Sequence, residues 1–145
     1  MPYDDERYKV HKQLPMIRAT FAGALLGTTA TNTNSQTSAT MTDRLEFFRT
    51  VKITGYKVIP EVAPDCGAHA TSMTVYSELC VGSTVHARAT LGTVAGVMAD
   101  GTIVSANVAA GTNLNIRASV TTWDGTVQTM APGAMLCLIE YQERF

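Results

Sequence analysis

Charge is scarce in this chain of 145 residues. Only 16% of the residues are Asp, Glu, Lys or Arg, and the formal net charge is -1. A protein that binds nucleic acid through its phosphates needs a concentrated positive surface, so the composition argues against a nucleic-acid partner. Hydrophobic residues make up 46% of the chain, which argues against a disordered protein. The length fits one folded domain with a buried core.

Cysteine and long apolar runs are also in short supply. Cys66, Cys80 and Cys137 are widely spaced and odd in number, so we expect buried thiols and no disulfide framework. The longest apolar runs fall well short of the roughly 20 residues that span a bilayer, which predicts no membrane partner. The opening segment 1–6 is acidic and lacks the pattern of a signal peptide. We therefore expect synthesis in the cytoplasm.

Patterns that carry chemistry are missing too. His11, His69 and His86 lie in unrelated settings, without a Ser or Cys partner in a known local motif. Cys66 and His69, beside Asp65, resemble half of a zinc site, but no second cluster at ligand spacing exists. The glycines do not form a phosphate-binding loop. The sequence thus predicts no enzyme: it offers no catalytic, cofactor-binding or metal-ligating residues, and no cofactor.

Thr, Ala, Val and Gly are abundant instead, in short segments separated by turn residues. Apolar and polar residues alternate clearly in 71–80, 85–91 and 113–120, which predicts half-buried strands. The apolar phase changes at Gly55, which predicts a β-bulge or a bend where one strand passes between two sheets. Asp100-Gly101 is typical of a two-residue hairpin turn.

The last stretch, 134–145, begins with six apolar residues after Pro132 and Gly133. Such a run, bounded by breakers, predicts a strand buried on both faces, although a turn of buried helix has the same pattern. Charged side chains from Glu140 onward indicate that this strand leaves the core there. With about eight short strands and no amphipathic helix, the sequence predicts an all-β fold, an antiparallel β-sandwich of the jelly-roll type.

Residues 1–16 differ from the rest, because charged residues are mixed there with aromatic and aliphatic ones. We divide the chain into an extended N-terminal arm, 1–16, and a β-sandwich domain, 17–145. The arm is either a solvated tail or a segment that orders on a neighbouring subunit. In the second case its anchors, which bind a partner, are Tyr3, Tyr8, Val10, Leu14 and Met16. Trp123, at the tip of a second predicted hairpin, is a candidate exposed contact.

Several segments carry a family resemblance beside the charged arm. They are Ala-Thr-Phe-Ala-Gly-Ala-Leu at 19–25, Val-Ala-Ala-Gly-Thr-Asn-Leu at 108–114, and Leu-Ile-Glu-Tyr-Gln-Glu-Arg-Phe at 138–145. In these the chain resembles the capsid decoration, or cement, proteins of tailed bacteriophages. The resemblance implies a jelly-roll-like virion protein, often a homotrimer, on the outer capsid surface. Its implied partners are the major capsid protein, whose neighbouring copies it bridges and stabilises, and further copies of itself.

The end of the chain adds two candidate contacts. Tyr141 and Phe145 are expected near the rim of the domain or across a subunit boundary. Two other functions fit the same fold. One is the receptor-binding head of a trimeric phage tail fibre or spike, and the other is a non-viral β-sandwich that binds carbohydrate or protein.

Overall fold

A computed structural model describes residues 11–14, 16–21, 25–27, 35–38, 40–41, 45–63, 73–92, 94–122, 128–130 and 133–143. None of these residues lies in a helix, which confirms the all-β prediction. They contain fifteen strand segments, more than the roughly eight expected from the turn spacing. The strands are β1 (His11–Gln13), β2 (Ile17–Thr20), β3 (Leu25–Gly27), β4 (Ser35–Ser38), β5 (Thr40–Met41), β6 (Leu45–Glu46), β7 (Val51–Pro60), β8 (Met73–Val81), β9 (Thr84–Leu91), β10 (Ala99–Asp100), β11 (Thr102–Ile103), β12 (Asn107–Val108), β13 (Asn113–Thr122), β14 (Gln128–Met130) and β15 (Met135–Glu143).

The strands form two main antiparallel sheets. The first sheet has the order β10-β7-β15-β2-β5, with β1 also paired to β15 and β12 also paired to β7. The second sheet has the order β11-β9-β8-β13-β4, with β6 also paired to β13. A separate two-stranded ribbon joins β3 and β14. The predicted antiparallel sandwich is therefore confirmed.

The chain crosses from one sheet to the other at most connections between its main strands. β2, β7, β12 and β15 lie in the first sheet, whereas β4, β8, β9 and β13 lie in the second. Only the tight turn between β8 and β9 keeps two successive main strands in one sheet. This winding gives the double Greek-key order of a jelly roll, in agreement with the prediction.

The core fills the space between the sheets with the inward residues of the alternating strands. In β7 these are Val51, Ile53, Tyr56 and Val58, and the facing β8, β9 and β13 contribute Leu79, Ala87, Leu114 and Ile116, among others. A buried aliphatic side chain of this size stabilises a fold by about 1.5 to 3 kcal/mol. The alternation seen in the sequence is thus the signature of one inward face per strand.

The change of phase at Gly55 is a β-bulge within β7. Ile53 is opposite Tyr141 and Gly55 is opposite Glu140, so Thr54 is the extra residue. β7 stays paired with β15 on both sides of the bulge, and the alternative of a strand passing between sheets is wrong. A Cβ on Gly55 would lie 2.7 Å from Glu140 Oε2, so glycine makes room for that side chain.

The hairpin predicted at Asp100-Gly101 is wrong. Asp100 ends β10 opposite Lys57 in the first sheet, and Thr102 begins β11 opposite Arg88 in the second sheet. Gly101 is therefore the point where the chain steps between the sheets. Its backbone N–H donates to Tyr56 O at 2.6 Å, and a Cβ would lie 2.7 Å from that oxygen. A close backbone approach, and not a turn conformation, requires glycine here.

The final strand, β15, is a central strand of the first sheet. β7 pairs along one of its edges, and β2 and β1 pair along the other. Met135, Cys137 and Ile139 are completely buried, but Leu136 and Leu138 on the opposite face are only half-buried. The prediction of burial on both faces is therefore wrong for the second face, which forms part of the molecular surface.

The last part of the segment predicted as an arm belongs to the first sheet. β1 pairs with β15, and the Leu14 N–H donates to Ile139 O at 3.0 Å. β1 and β2 both pair with one edge of β15, β1 opposite residues 140–142 and β2 opposite residues 135–137. Residues 1–10 lie outside the described part of the chain.

Candidate interaction surfaces

A polar cluster inside the sandwich has a structural role. The Tyr56 hydroxyl lies 2.8 Å from Ser77 Oγ and donates to Cys137 Sγ at 3.6 Å. Burial raises the pKa of the Cys137 thiol to about 11 and holds the pKa of Tyr56 well above its usual value. A thiol with such a pKa is protonated at neutral pH and is a poor nucleophile. This cluster links the two sheets through hydrogen bonds.

Within the described ranges, no three His, Cys, Asp or Glu side chains come together in a way that would hold a metal ion. The motif of Asp65, Cys66 and His69 falls outside those ranges. The ranges also contain no helix long and apolar enough to cross a membrane.

The outer face of the second sheet carries a charged row, which consists of Arg88, Glu78 and Arg117. The register of β9, β8 and β13 places these three residues side by side across neighbouring strands. Arg88 donates to Glu78 Oε2 from Nη2 at 2.7 Å and from Nε at 3.1 Å, and Glu78 is fully buried. The Arg88 guanidinium also lies over the Tyr76 ring, 4.8 Å from its centroid.

Polar atoms along β13, including one of Arg117 from the charged row, are enclosed as well. Asn115 Oδ1, Arg117 Nε and Ser119 Oγ all lie on β13, are buried, and have no hydrogen-bond partner. Burial also raises the pKa of the Cys80 thiol, an effect that the nearby Arg117 guanidinium opposes. Since these atoms are out of reach of the surface, the second sheet does not present them to a large partner.

The outer face of the first sheet has a different character. It carries an apolar band across four neighbouring strands, which we call the methionine stripe: Met16, Ile59, Met98, Leu136 and Leu138. Met16 is 53% exposed and Met98 is 51% exposed. The other three side chains are half-buried. Flexible, polarisable methionine side chains adapt readily to a partner surface.

Strand register brings the stripe together. Ile59 is opposite Leu136, and Met98 precedes the pair Ala99–Val58, which puts it beside Ile59. At the other end, the pair Ile17–Cys137 puts Met16 beside Leu138. The stripe therefore joins residues from four separate parts of the sequence.

Charged residues lie among the members of the methionine stripe. Arg18 is opposite Leu136 and Lys57 is opposite Leu138, and both form surface ion pairs. Arg18 Nε lies 2.7 Å from Glu61 Oε2, and Lys57 Nζ lies 3.8 Å from Glu140 Oε1. Asp100 is exposed opposite Lys57 at the β10 end. Exposed pairs of this kind contribute about 0 to 1 kcal/mol, so a partner can rearrange them at little cost. Exposed apolar side chains with charged residues among them can serve as a protein-binding surface.

Apolar side chains are also exposed at the two ends of β7. At its start, Phe48 is 99% exposed, while the preceding Phe47 is buried with its ring 4.7 Å from that of Tyr141. Near its end lie Val62, Val94 and Val97, each more than half exposed. The Gly96 N–H donates to Pro60 O at 2.7 Å and keeps the second of these groups close to the stripe.

The contact residues predicted from the sequence fall into three groups. Met16 lies in the methionine stripe. Leu14 and Tyr141 are partly buried and pack against the core of their own chain. The others lie outside the described residues: Tyr3, Tyr8, Val10, Trp123 and Phe145.

Sequence reasoning missed most of the stripe, namely Ile59, Met98, Leu136 and Leu138. A signal for two of them was present, because the run 134–139 has apolar residues on both faces of its strand. Such a run also predicts burial on both sides.

Comparisons of the chain with models of protein families, with curated proteins and with solved structures found no match.

Proposed function

We propose that the protein is a structural component of a bacteriophage virion, a cement protein on the outer surface of the capsid. It bridges neighbouring major capsid proteins and stabilises the lattice, and it acts through surface contact, without catalysis. Its partners are the major capsid protein and further copies of the chain. The homotrimer implied by the resemblance is part of this proposal.

The observation that supports the proposal best is the methionine stripe. It exposes apolar side chains beside charged ones on the outer face of the first sheet, whereas the Tyr56 hydroxyl and the Cys137 thiol are buried inside the sandwich and hydrogen-bonded. Such a surface is suited to binding another protein. On a capsid the same contact repeats many times, so that even a weak single contact gives firm retention.

Analysis of purified virions tests the proposal. Quantitative mass spectrometry of virions from the source of this sequence should find the chain in numbers comparable with the major capsid protein. Electron cryomicroscopy should show the jelly roll on the outer capsid surface. A few copies at the tail would contradict the proposal and favour a receptor-binding head, and absence from virions would favour the non-viral β-sandwich.

The arm needs a separate test, and the fold determines where to cut. Removal of residues 1–14 would take away β1 and Leu14, which belong to the sheet and the core. Removal of residues 1–10 leaves both in place. If the arm binds a neighbour, this shorter variant should keep its thermal stability but bind capsids more weakly. Unchanged binding would contradict a role for Tyr3, Tyr8 and Val10.

A further inference from the structure

We propose that residues 96–107 form a strap that opens and closes over one side of the sandwich while the two sheets stay folded. In the closed position, which the structure describes, the strap covers the outer edges of β7 and β9. An uncovered sheet edge presents unpaired N–H and C=O groups on which a strand of another chain can pair. The strap thus guards two edges against association. This inference goes beyond the proposed function and holds with or without a capsid.

The strap runs along an edge of each sheet. Its first part, β10, pairs with β7 in the first sheet, and its middle part, β11, pairs with β9 in the second sheet. Its end enters β12, which returns to β7. On their other edges, β7 pairs with β15 and β9 pairs with β8. The strap therefore closes the side of the sandwich where β7 and β9 would otherwise have open edges.

The route of the strap follows the β-bulge of β7. On one side of Thr54, the extra residue, the Ile53 N–H donates to Ala106 O at 2.7 Å. On the other side, the Gly101 N–H donates to Tyr56 O at 2.6 Å. Between these two bonds the strap leaves β7 and pairs with β9. The strap is thus joined to β7 at two places and to β9 between them.

His86 holds the strap to β9. Its backbone oxygen accepts from the Val104 N–H at 2.9 Å and from the Ser105 N–H at 3.1 Å. Its ring Nδ1 lies 2.7 Å from Ser105 O. A carbonyl oxygen only accepts, so Nδ1 carries the hydrogen of this bond. One residue therefore makes three hydrogen bonds to the middle of the strap.

Few apolar contacts hold the strap in place. None of residues 96–107, all of which the structure describes, is buried, and Val97 and Val104 are each more than half exposed. Ala99 and Ile103 reach the core but are only partly buried. Segments with few buried apolar contacts and exposed backbone hydrogen bonds open at a lower free energy than the core. We therefore expect the strap to open without global unfolding.

Amide hydrogen exchange of the full chain, followed by NMR, tests whether the strap opens by itself. Four amides bond across the strap: those of Ile53, Gly101, Val104 and Ser105. They should exchange together, at least about 100-fold faster than the amides of the β8–β13 ladder, which need global unfolding.

Three variants separate opening of the strap from global unfolding. His86→Ala removes the ring contact with the strap and should speed the four amides by about 3- to 10-fold. Thr90→Ala, at an exposed position of the same strand, should leave them unchanged. Ile116→Val, at a fully buried position of β13, destabilises the closed and open forms alike relative to the unfolded chain. It should speed only the ladder amides, by about 3- to 10-fold.

A disulfide that locks the strap tests its role as a guard. Lys57 and Asp100 are opposite each other, next to the pair that the Gly101 N–H to Tyr56 O bond joins. Such a non-hydrogen-bonded pair has Cα atoms about 4.5 Å apart, which suits a disulfide. In the variant with Lys57→Cys and Asp100→Cys, oxidation should slow exchange of the four amides by at least about 10-fold, and reduction should restore it. Peptide mapping establishes which cysteines are joined.

Association below the midpoint of thermal unfolding, measured by light scattering, gives the second readout. The oxidised variant should associate more slowly than its reduced form by a factor similar to that for exchange, because both follow the population of the open strap. Ile116→Val should leave the association rate unchanged. Strap amides that speed up with the ladder in Ile116→Val, or that ignore the lock, would show that the strap does not open by itself. Association that ignores the lock would overturn its role as a guard.

Discussion

The outer faces of the two sheets differ in how the exposure of a side chain relates to its polarity. On the second sheet, the carboxylate of Glu78 is charged by type but completely enclosed by its neighbours. On the first sheet, Met16 and Met98 are apolar by type but more than half exposed. Both faces are outward in the jelly roll, so the class of the residue alone does not tell which face is closed. The exposure of a residue depends on how far the side chains on neighbouring strands cover it.

The energetics of the two faces differ accordingly. A buried ion pair loses much when one partner is removed, because the remaining charge stays in a medium that solvates it poorly. An exposed pair such as Lys57 and Glu140 loses little, since water replaces the partner. The second face should thus contribute to stability through Glu78, whereas the ion pairs of the first face should contribute little.

Replacement of Glu78 tests this difference and should have the largest effect. Glu78→Gln removes the carboxylate that accepts two hydrogen bonds from Arg88. Because the Arg88 side chain left behind is 38% exposed and partly solvated, the variant should lose about 2 to 4 kcal/mol of unfolding free energy, less than a fully buried pair would. Urea unfolding measures the loss. The matched variant Glu140→Gln, on the first face, should lose less than about 1 kcal/mol. Equal losses would show that the two faces do not differ in this way.

Alkaline pH should destabilise the protein through its interior. The pKa of Cys137 is raised in the folded state from its ordinary value of 9.0 to about 11. Stability from this group is therefore complete below pH 9 and is lost as the pH rises from 9 to 11, by about 2 to 3 kcal/mol. Thermal unfolding between pH 8 and pH 11 measures the slope.

Cys137→Ala provides the control for that slope. The variant starts from a lower stability because of the smaller side chain, but its stability should fall less steeply above pH 9. Tyr56 also has a raised pKa, and it keeps part of the slope at the highest pH values in both proteins. An unchanged slope in the variant would contradict the assignment to Cys137.

The crossing at Gly101, which joins the two sheets, should show the smallest effect of the three. In Gly101→Ala the added methyl group would lie 2.7 Å from Tyr56 O, an atom of the backbone that cannot turn aside. A loss of about 1 to 3 kcal/mol is expected from such overpacking. Gly92→Ala is the matched variant, because nothing lies within 4 Å of its added atom. It should unfold at the wild-type urea concentration or above.

Much of the fold was predictable because strands leave a local pattern. Alternation in 85–91 and 113–120 identified real strands, and the phase change at Gly55 identified a real bulge. Asp100-Gly101 was misinterpreted, because glycine serves both for turns and for close backbone contact, and the dipeptide is the same in both cases. Local sequence does not distinguish these two uses.

The candidate surface was far less predictable. Met16 alone was identified, as an anchor of the arm, and its neighbours in the stripe come from β7, β15 and the residue before β10. These segments are adjacent only because the jelly roll places a late strand, β15, between β7 and β2. The apolar run 134–139 contained the signal for an unusual outer face, but the run itself is compatible with a second covering layer.

The sequence by itself determined the class of fold, because alternation with a period of two and frequent turn residues allow little else than antiparallel strands. It also determined one inward face per strand. Only the tertiary structure decided the outward faces, since exposure there depends on register between residues far apart in the chain. That register encloses Glu78 between two arginines, and it collects Met16, Ile59, Met98, Leu136 and Leu138 into one exposed stripe.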